Sequence, residues 1–246
     1  PRSAPPRTRG ALSAAGLVVA SMIGTGVYTT SGLLLHHLSA AAVVVVWLVG
    51  GLCAMSGALA YAELAVRHPH QGGEYALLGR GLHPAAGFMA GAVSVVIGFA
   101  APIAACALAF CHYLGAVVPG AAHPLVALAV VWGTTLVQLG GGGVGDRAQD
   151  ALAAFTLLLG VSLSVVGLPA IDVTLLSPGP DLADEIFSPA AGLGVVLVSF
   201  SYSGWNAATY VGGELRAPAR TLPLALLLGT LVVTLLYVAL NVVFVA

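Results

Sequence analysis

Two short polar segments within apolar tracts hold the residues best suited to bind a ligand. The first is Gly24-Thr25-Gly26, preceded by Ile23, and the second runs from Ser199 to Asn206. Glycine destabilises a helix interior by about 1 kcal/mol relative to alanine, so both segments favour interrupted helices. An interrupted helix presents amides to an anion and carbonyls to a cation. These segments therefore predict main-chain binding of a zwitterion.

The depth of both segments bears on whether they bind a ligand or only pack. Gly24 lies 14 residues after Gly10, about 21 Å along a helix at 1.5 Å per residue, and Gly204 lies 13 residues after Ala191. Both positions fall near the middle of a bilayer, where polar groups should face a cavity or one another. Close helix packing at the glycines is the alternative, as is ordinary packing of Trp205.

The composition requires that membrane-spanning helices position these segments. Only 7% of the 246 residues are charged and 59% are hydrophobic, whereas a soluble domain carries about 25% charged residues. One bilayer crossing needs about 20 apolar residues. The tracts without charge therefore predict an all-α integral membrane protein with seven spans, at 11–36, 41–62, 84–114, 124–140, 150–168, 190–213 and 221–246.

The arginines predict how the chain is oriented. They fall only before span one and in alternate connections, at Arg2, Arg7, Arg9, Arg67, Arg80, Arg147, Arg216 and Arg220. The connection after span five instead holds four acidic residues. The positive-inside rule therefore predicts a multi-pass protein of the plasma (inner) membrane with a cytosolic amino terminus. Seven-span receptors have the opposite orientation, and the net charge of −1 offers no basic field for nucleic acid.

Other classes of membrane protein fit less well. Span six contains serines but no His, Asp or Lys that could activate one as a nucleophile, so we do not expect an enzyme. The histidines lack the spacing of a zinc site, and no metal site is predicted. A channel favours repeated pore-lining polar groups. The cysteines, Cys53, Cys106 and Cys111, lie in apolar tracts and are expected to be buried.

Spans one and six are five spans apart, so they cross the membrane in opposite directions. Interrupted helices at corresponding positions of two antiparallel halves are typical of transporters with inverted repeats and a site at the midplane.

Several motifs carry a family resemblance. The run from Met22 to Tyr28, the loop with Tyr61-Ala-Glu-Leu64 and Gly72-Gly-Glu-Tyr75, and the run from Phe200 to Asn206 resemble those of amino acid permeases. Gly213-Glu214 and Arg220-Thr-Leu-Pro223 complete the pattern. Together they are similar to the amino acid–polyamine–organocation superfamily, whose members have a leucine-transporter-like fold of two five-helix inverted repeats.

The resemblance implies a domain organisation. Residues 1–10 would form a cytosolic tail, 11–168 the first five-helix repeat, 169–189 an extracellular acidic loop, and 190–246 the start of the second repeat. Relatives usually have about twelve spans, so we expect this chain to correspond to roughly the amino-terminal half.

The resemblance also implies a substrate site at the two interruptions. In relatives the substrate carboxylate is held by the interruption of span one, and the ammonium meets main-chain carbonyls of span six. The corresponding residues here are Ile23, Gly24, Thr25, Gly26, Phe200, Ser201 and Ser203. Phe200 would also cover the site, while Trp205 and Asn206 would line the pocket.

Gating and ion coupling are less constrained by the sequence. Tyr28, Glu63, Glu214 and Arg216 are candidate gate residues, although the charged ones could equally be solvated helix caps. No cofactor is expected. Span five has Ser162 and Ser164 but no buried lysine, so Na+ or H+ coupling and exchange all stay open.

The predicted function is secondary active transport of amino acids by alternating access. The alternatives are an amino acid exchanger, a polyamine or amine carrier, or a truncated remnant that does not transport. The partners implied are a small amino acid substrate and the lipid bilayer.

Overall fold

The computed structural model describes residues 10–67, 73–139 and 143–246, except for the side chains of Ala65, Asp146 and Glu214. Regular structure in these ranges is helical, which confirms the all-α prediction. In chain order the α-helices are α1 (Ala11–Met22), α2 (Gly26–Leu34), α3 (Ala40–Arg67), α4 (Gly73–Gly81), α5 (Pro84–Val93), α6 (Ala101–Val117), α7 (Pro124–Leu139), α8 (Val144–Gly167), α9 (Leu182–Ile186), α10 (Pro189–Ser201) and α11 (Pro218–Val245). A π-helical segment, Ser94–Ala100, joins α5 to α6.

Several helices are long and apolar enough to cross a membrane. Within the described residues four qualify on their own, at Ala40–Leu64, Pro84–Val117, Arg147–Ala170 and Pro218–Val245. The bent pair of α1 and α2 would make a fifth span. Helix α7 is apolar but has 16 residues, fewer than the roughly 20 that a crossing needs. The chain is a multi-pass membrane protein, and the count of seven spans stays a prediction.

The chain divides into two compact units, Pro1–Gly73 with Ala153–Ala246, and Glu74–Leu152. The core of the first unit lies where α1, α3, α10 and α11 pack together, and its largest fully buried side chains are Trp47, Tyr202 and Tyr237. Small residues allow this packing. A Cβ atom on Gly229 of α11 would lie 2.6 Å from the Val18 side chain of α1, so glycine is needed for the two helices to approach so closely.

In the second unit, α4 packs closely on α5. A Cβ atom on Gly87 would lie 2.5 Å from the Cα atom of Gly79 and 2.6 Å from the Tyr75 carbonyl oxygen. A separate small cluster joins α6 to α7 through Ala107, Cys111 and Ala127. Of the three cysteines only Cys111 is buried, so the expectation of buried thiols is wrong for Cys53 and Cys106. A helix surface that faces lipid or another part of a membrane protein can be apolar and still exposed.

Candidate functional site

The first interruption separates α1 from α2 by three residues and bends their axes by 44°. Ile23 ends α1 with an extended backbone, and its amide donates to the Val19 carbonyl at 3.1 Å. The Gly26 amide finds no acceptor among the described residues. Gly24 is exposed, and a Cβ atom there would meet nothing within 4 Å. The amino end of α2 therefore follows an open position at Gly24 and carries an unpaired amide at Gly26.

The second interruption follows α10 and has a different structure. Helix α10 ends at Ser201, Gly204 has a φ of +102°, and the chain continues in 3₁₀ turns at Trp205–Thr209 and Gly212–Glu214. The Phe200 carbonyl accepts from the Ser203 amide at 3.1 Å and from its hydroxyl at 2.7 Å. The carbonyls of Ser201, Tyr202 and Ser203 accept no hydrogen bond from the described residues.

The two interruptions lie against each other. A Cβ atom on Gly204 would overlap the Ser21 carbonyl oxygen, and a Cβ atom on Gly26 would overlap the Ser201 hydroxyl. The hydroxyls of Thr30 and Ser201 are 3.3 Å apart and buried. The amino end of α2 thus meets the carboxyl end of α10, which brings a partial positive charge beside a partial negative charge.

The predicted site residues occupy different environments around this contact. Gly26 and Ser201 are in contact, Ile23 packs on the core, and Thr25 is half-buried. Phe200 is 62% exposed, and Ser203 is also exposed. Trp205 and Asn206 are half-buried, and the Trp205 ring packs edge-on against Tyr61 with centroids 4.9 Å apart.

A cavity of about 160 Å³ opens beside the second interruption. Its lining comes from α3 and from the segment around the end of α10, as Gly50, Cys53, Ala54, Ser199, Tyr202 and Trp205. Ser199 and Trp205 belong to the polar segment identified from the sequence, whereas the α3 residues of the lining were not predicted. The glycines of α3 were the available signal that this helix lies close to the second interruption. A Cβ atom on Gly57, for example, would lie 2.7 Å from the Trp205 ring.

Behind the interruptions lies a buried hydrogen-bond network that the sequence analysis also missed. Tyr237 of α11 donates to the Met22 carbonyl at 2.6 Å, and Asn241 donates to the Tyr237 carbonyl at 2.8 Å. Trp47 donates through Nε1 to the Ser31 hydroxyl at 2.7 Å, and Ser31 in turn donates to Asn241 Oδ1. Two polar side chains four residues apart in the apolar α11 were the available signal.

The candidate gate residues do not form one cluster in the described structure. The Tyr28 hydroxyl is buried without a hydrogen-bond partner among the described residues. Glu63 pairs with Arg67 on its own helix, and both side chains are 67% exposed. Arg216 is exposed, and the Glu214 side chain lies outside the described residues.

The acidic segment between α8 and α10 is tied to the start of α3. The Ser39 hydroxyl and amide donate to Glu185 Oε2 at 2.6 and 3.0 Å, and these bonds hold the pKa of the Glu185 carboxyl below its usual value. The Thr174 hydroxyl and amide donate to Asp172 Oδ1, and these bonds likewise lower the pKa of the Asp172 carboxyl. Both carboxylates therefore stay ionised at neutral pH.

The sequence matches one protein family and several characterised transporters. The profile of a family described as amino acid permease covers residues 10–246. The chain is 32% identical to the large neutral amino acids transporter small subunit 2 of Oryctolagus cuniculus, over 96% of this chain and 46% of that protein. It is 29% identical to the Asc-type amino acid transporter 1 of Homo sapiens, over 95% and 47%, and 26% identical to the b(0,+)-type amino acid transporter 1 of Mus musculus, over 95% and 50%. The chain spans about half the length of the curated relatives it matches.

Proposed function

We propose that this chain, which belongs to the amino acid permease family, forms the substrate-binding half of a secondary transporter that moves amino acids by alternating access. The site is the contact between the two helix interruptions. Its fold is the leucine-transporter-like inverted repeat, with seven spans present here and the amino terminus in the cytosol. The plasma membrane is the proposed location.

The meeting of two helix ends of opposite polarity carries this proposal. The amino end of α2, with its open position at Gly24 and its unpaired Gly26 amide, suits a carboxylate. The unpaired carbonyls from Ser201 to Ser203 suit an ammonium group. Every α-amino acid carries both groups on its α-carbon atom. These main-chain contacts would bind the amino and carboxyl groups of the substrate. Phe200, Trp205 and Asn206 would determine which substrate side chain is preferred.

The substrate class that we favour is neutral amino acids. Phe200 and Trp205 are apolar, and no charged side chain occurs between Gly10 and Ala62 or between Ile186 and Gly213. A cationic or anionic side chain would therefore lack a partner on these spans. One matched relative is named for large neutral amino acids. An amine or polyamine carrier is the weaker candidate, because an amine offers no carboxylate to the amino end of α2.

The proposed mode of coupling is based on span five. Ser162 and Ser164 of α8 donate their hydroxyls to carbonyls of their own helix, and the sequence contains no lysine for proton coupling. We propose exchange, or uptake without lysine-based proton coupling. Uptake that depends on a pH gradient, stops with a protonophore and ignores internal amino acid would contradict this.

The decisive experiment is competition uptake with L- and D-amino acids and amines in membrane vesicles that contain the protein. Gly24→Leu fills the open space before the amino end of α2 and is expected to remove saturable, stereoselective uptake. Gly16→Leu is the matched control, because Gly16 is also exposed on the same interrupted helix and a Cβ atom there would meet nothing within 4 Å. Equal uptake by both variants would overturn the site, and no uptake by any protein would favour a remnant without transport activity.

A further inference from the structure

Helix α11 holds both halves of the first interrupted helix through two polar side chains one turn apart. Tyr237 donates to the Met22 carbonyl at the end of α1, and Asn241 accepts from Ser31 in α2. Tyr237 and Asn241 are fully buried, and Asn241 also donates to the Tyr237 carbonyl. A single helix is therefore the common support for two segments that a break has separated.

The two attachments are built from different groups. The α2 attachment is a network of side chains, because the Ser31 hydroxyl bonds both Asn241 and the Trp47 indole nitrogen. Helix α1 also packs closely on α11, with Val18 against Gly229, and its polar attachment is the Tyr237 hydroxyl, which donates to the Met22 carbonyl. Met22 is in the last turn of α1, where a carbonyl has no amide of its own helix to accept from. Loss of the phenol hydroxyl would leave that carbonyl buried and unpaired.

We propose that Tyr237 and Asn241 are positioning residues that set the angle of the first interruption, with Asn241 holding α2 and Tyr237 holding the end of α1. The inference rests on the proposed function, since the angle governs how the amino end of α2 and Gly24 face the end of α10.

Cysteine reporters can test this without any substrate. Val18 in α1 and Val27 in α2 are both fully buried, so Val18→Cys and Val27→Cys report the release of each half by their rate of alkylation. The native cysteines, Cys53, Cys106 and Cys111, are first replaced by alanine. Tyr237→Phe keeps the ring but removes the hydroxyl. Tyr202→Phe is its control, because Tyr202 is buried in the same aromatic cluster, 5.0 Å away, but its hydroxyl bonds the Trp47 carbonyl of α3.

Tyr237→Phe is expected to raise the rate of alkylation at Val18→Cys about threefold to tenfold, because losing one hydrogen bond shifts an equilibrium by about that factor. The rate at Val27→Cys should stay within about twofold of its value in the protein with Tyr237. Ser31→Ala should give the reverse pattern, and Tyr202→Phe should change neither reporter by more than about twofold. The KM for uptake should change in Tyr237→Phe by a similar factor while the maximal rate is less affected.

An equal rise at both reporters in Tyr237→Phe and in Ser31→Ala would mean general loosening and would overturn the proposal, as would no rise at either. If Tyr237→Phe does not fold, the proposal is tested by Ser31→Ala, which should raise alkylation at Val27→Cys but not at Val18→Cys. Absence of uptake in every variant, including the parent, would count against the proposed function alone, because the alkylation pattern is read without substrate.

Discussion

The two interruptions break their helices in opposite ways. In the first, a three-residue gap separates two α-helices, and the amide at the start of α2 is among the unpaired groups. In the second, α10 stops and the chain turns through 3₁₀ segments before α11 begins, and the carbonyls from Ser201 to Ser203 are among the unpaired groups. The difference is that the first break presents the amino end of α2 at the contact, whereas the second presents the carboxyl end of α10. Under the proposed function, a zwitterion would be held between these two helix ends of opposite polarity.

The different constructions follow from the residues. At the first break neither glycine has a positive φ, and the bend comes from low helix propensity in an apolar segment. At the second break Gly204 has a φ of +102°, and the hydroxyls of Ser203 and Thr209 donate to nearby carbonyls, at Phe200 and Asn206. Local side-chain bonds of this kind compete with the hydrogen bonds of a regular helix.

The strongest way to break this arrangement is Gly204→Ala. The substitution forces a side chain into a left-handed conformation and against the Ser21 carbonyl. We expect a loss of more than about 2 kcal/mol of folding free energy and no uptake. The melting temperature of purified protein measures this. Gly192→Ala is the control on the same span, since it meets open space, and a Gly204→Ala protein as stable as that control would refute the close contact.

A pair of alanine substitutions separates packing from binding at the first interruption. Gly26→Ala pushes into the Ser201 side chain and should cost about 1 to 2 kcal/mol of stability. Gly24→Ala meets open space, so it should fold normally and raise only the KM. Thermal melting and concentration-dependent uptake give the two readouts. The opposite result, with Gly24→Ala unstable and Gly26→Ala neutral, would contradict the contact between Gly26 and Ser201.

A smaller effect is expected from the hydrogen bond that joins the two interruptions. Thr30→Val and Ser201→Ala each remove one hydroxyl of a buried pair 3.3 Å apart. Each should lower stability by about 0.5 to 1.5 kcal/mol, and the double variant should lose less than the sum. A double-mutant cycle from denaturant unfolding measures the coupling. Strict additivity would mean that the two hydroxyls do not interact.

The smallest effect concerns the outer connection at Glu185. Its pKa is lowered by the Ser39 hydrogen bonds, so the bond stabilises the fold above the unfolded-state pKa and is lost as pH falls through the lower folded-state value. Glu185→Gln should therefore flatten the fall in melting temperature between about pH 5 and pH 3. Asp184→Asn is the control, because Asp184 makes no side-chain hydrogen bond with the described residues. Identical pH profiles for both variants would count against the connection.

Sequence reasoning located the apolar helices and the segments around Gly24 and Gly204 because those signals are local. An apolar composition predicts a membrane-spanning helix, and glycine lowers the stability of that helix at any interior position. The partners of these segments were not predictable in the same way. Tyr237 and Asn241 are ordinary residues of an apolar helix until their contacts, 215 and 210 residues away in the chain, are known. The open cavity at Cys53 likewise depends on which faces of α3 and α10 meet.

The Tyr237 bond also has a consequence for biosynthesis. The Met22 carbonyl accepts a hydrogen bond from Tyr237, which is translated 215 residues later. At about 5 to 20 residues per second, translation alone imposes a delay of about 10 to 40 s. During that time the unfinished end of α1 must be hydrated or held by the insertion machinery, since a bare carbonyl is costly in lipid. The first interrupted helix is therefore completed only after α11, which holds its broken end, has been made.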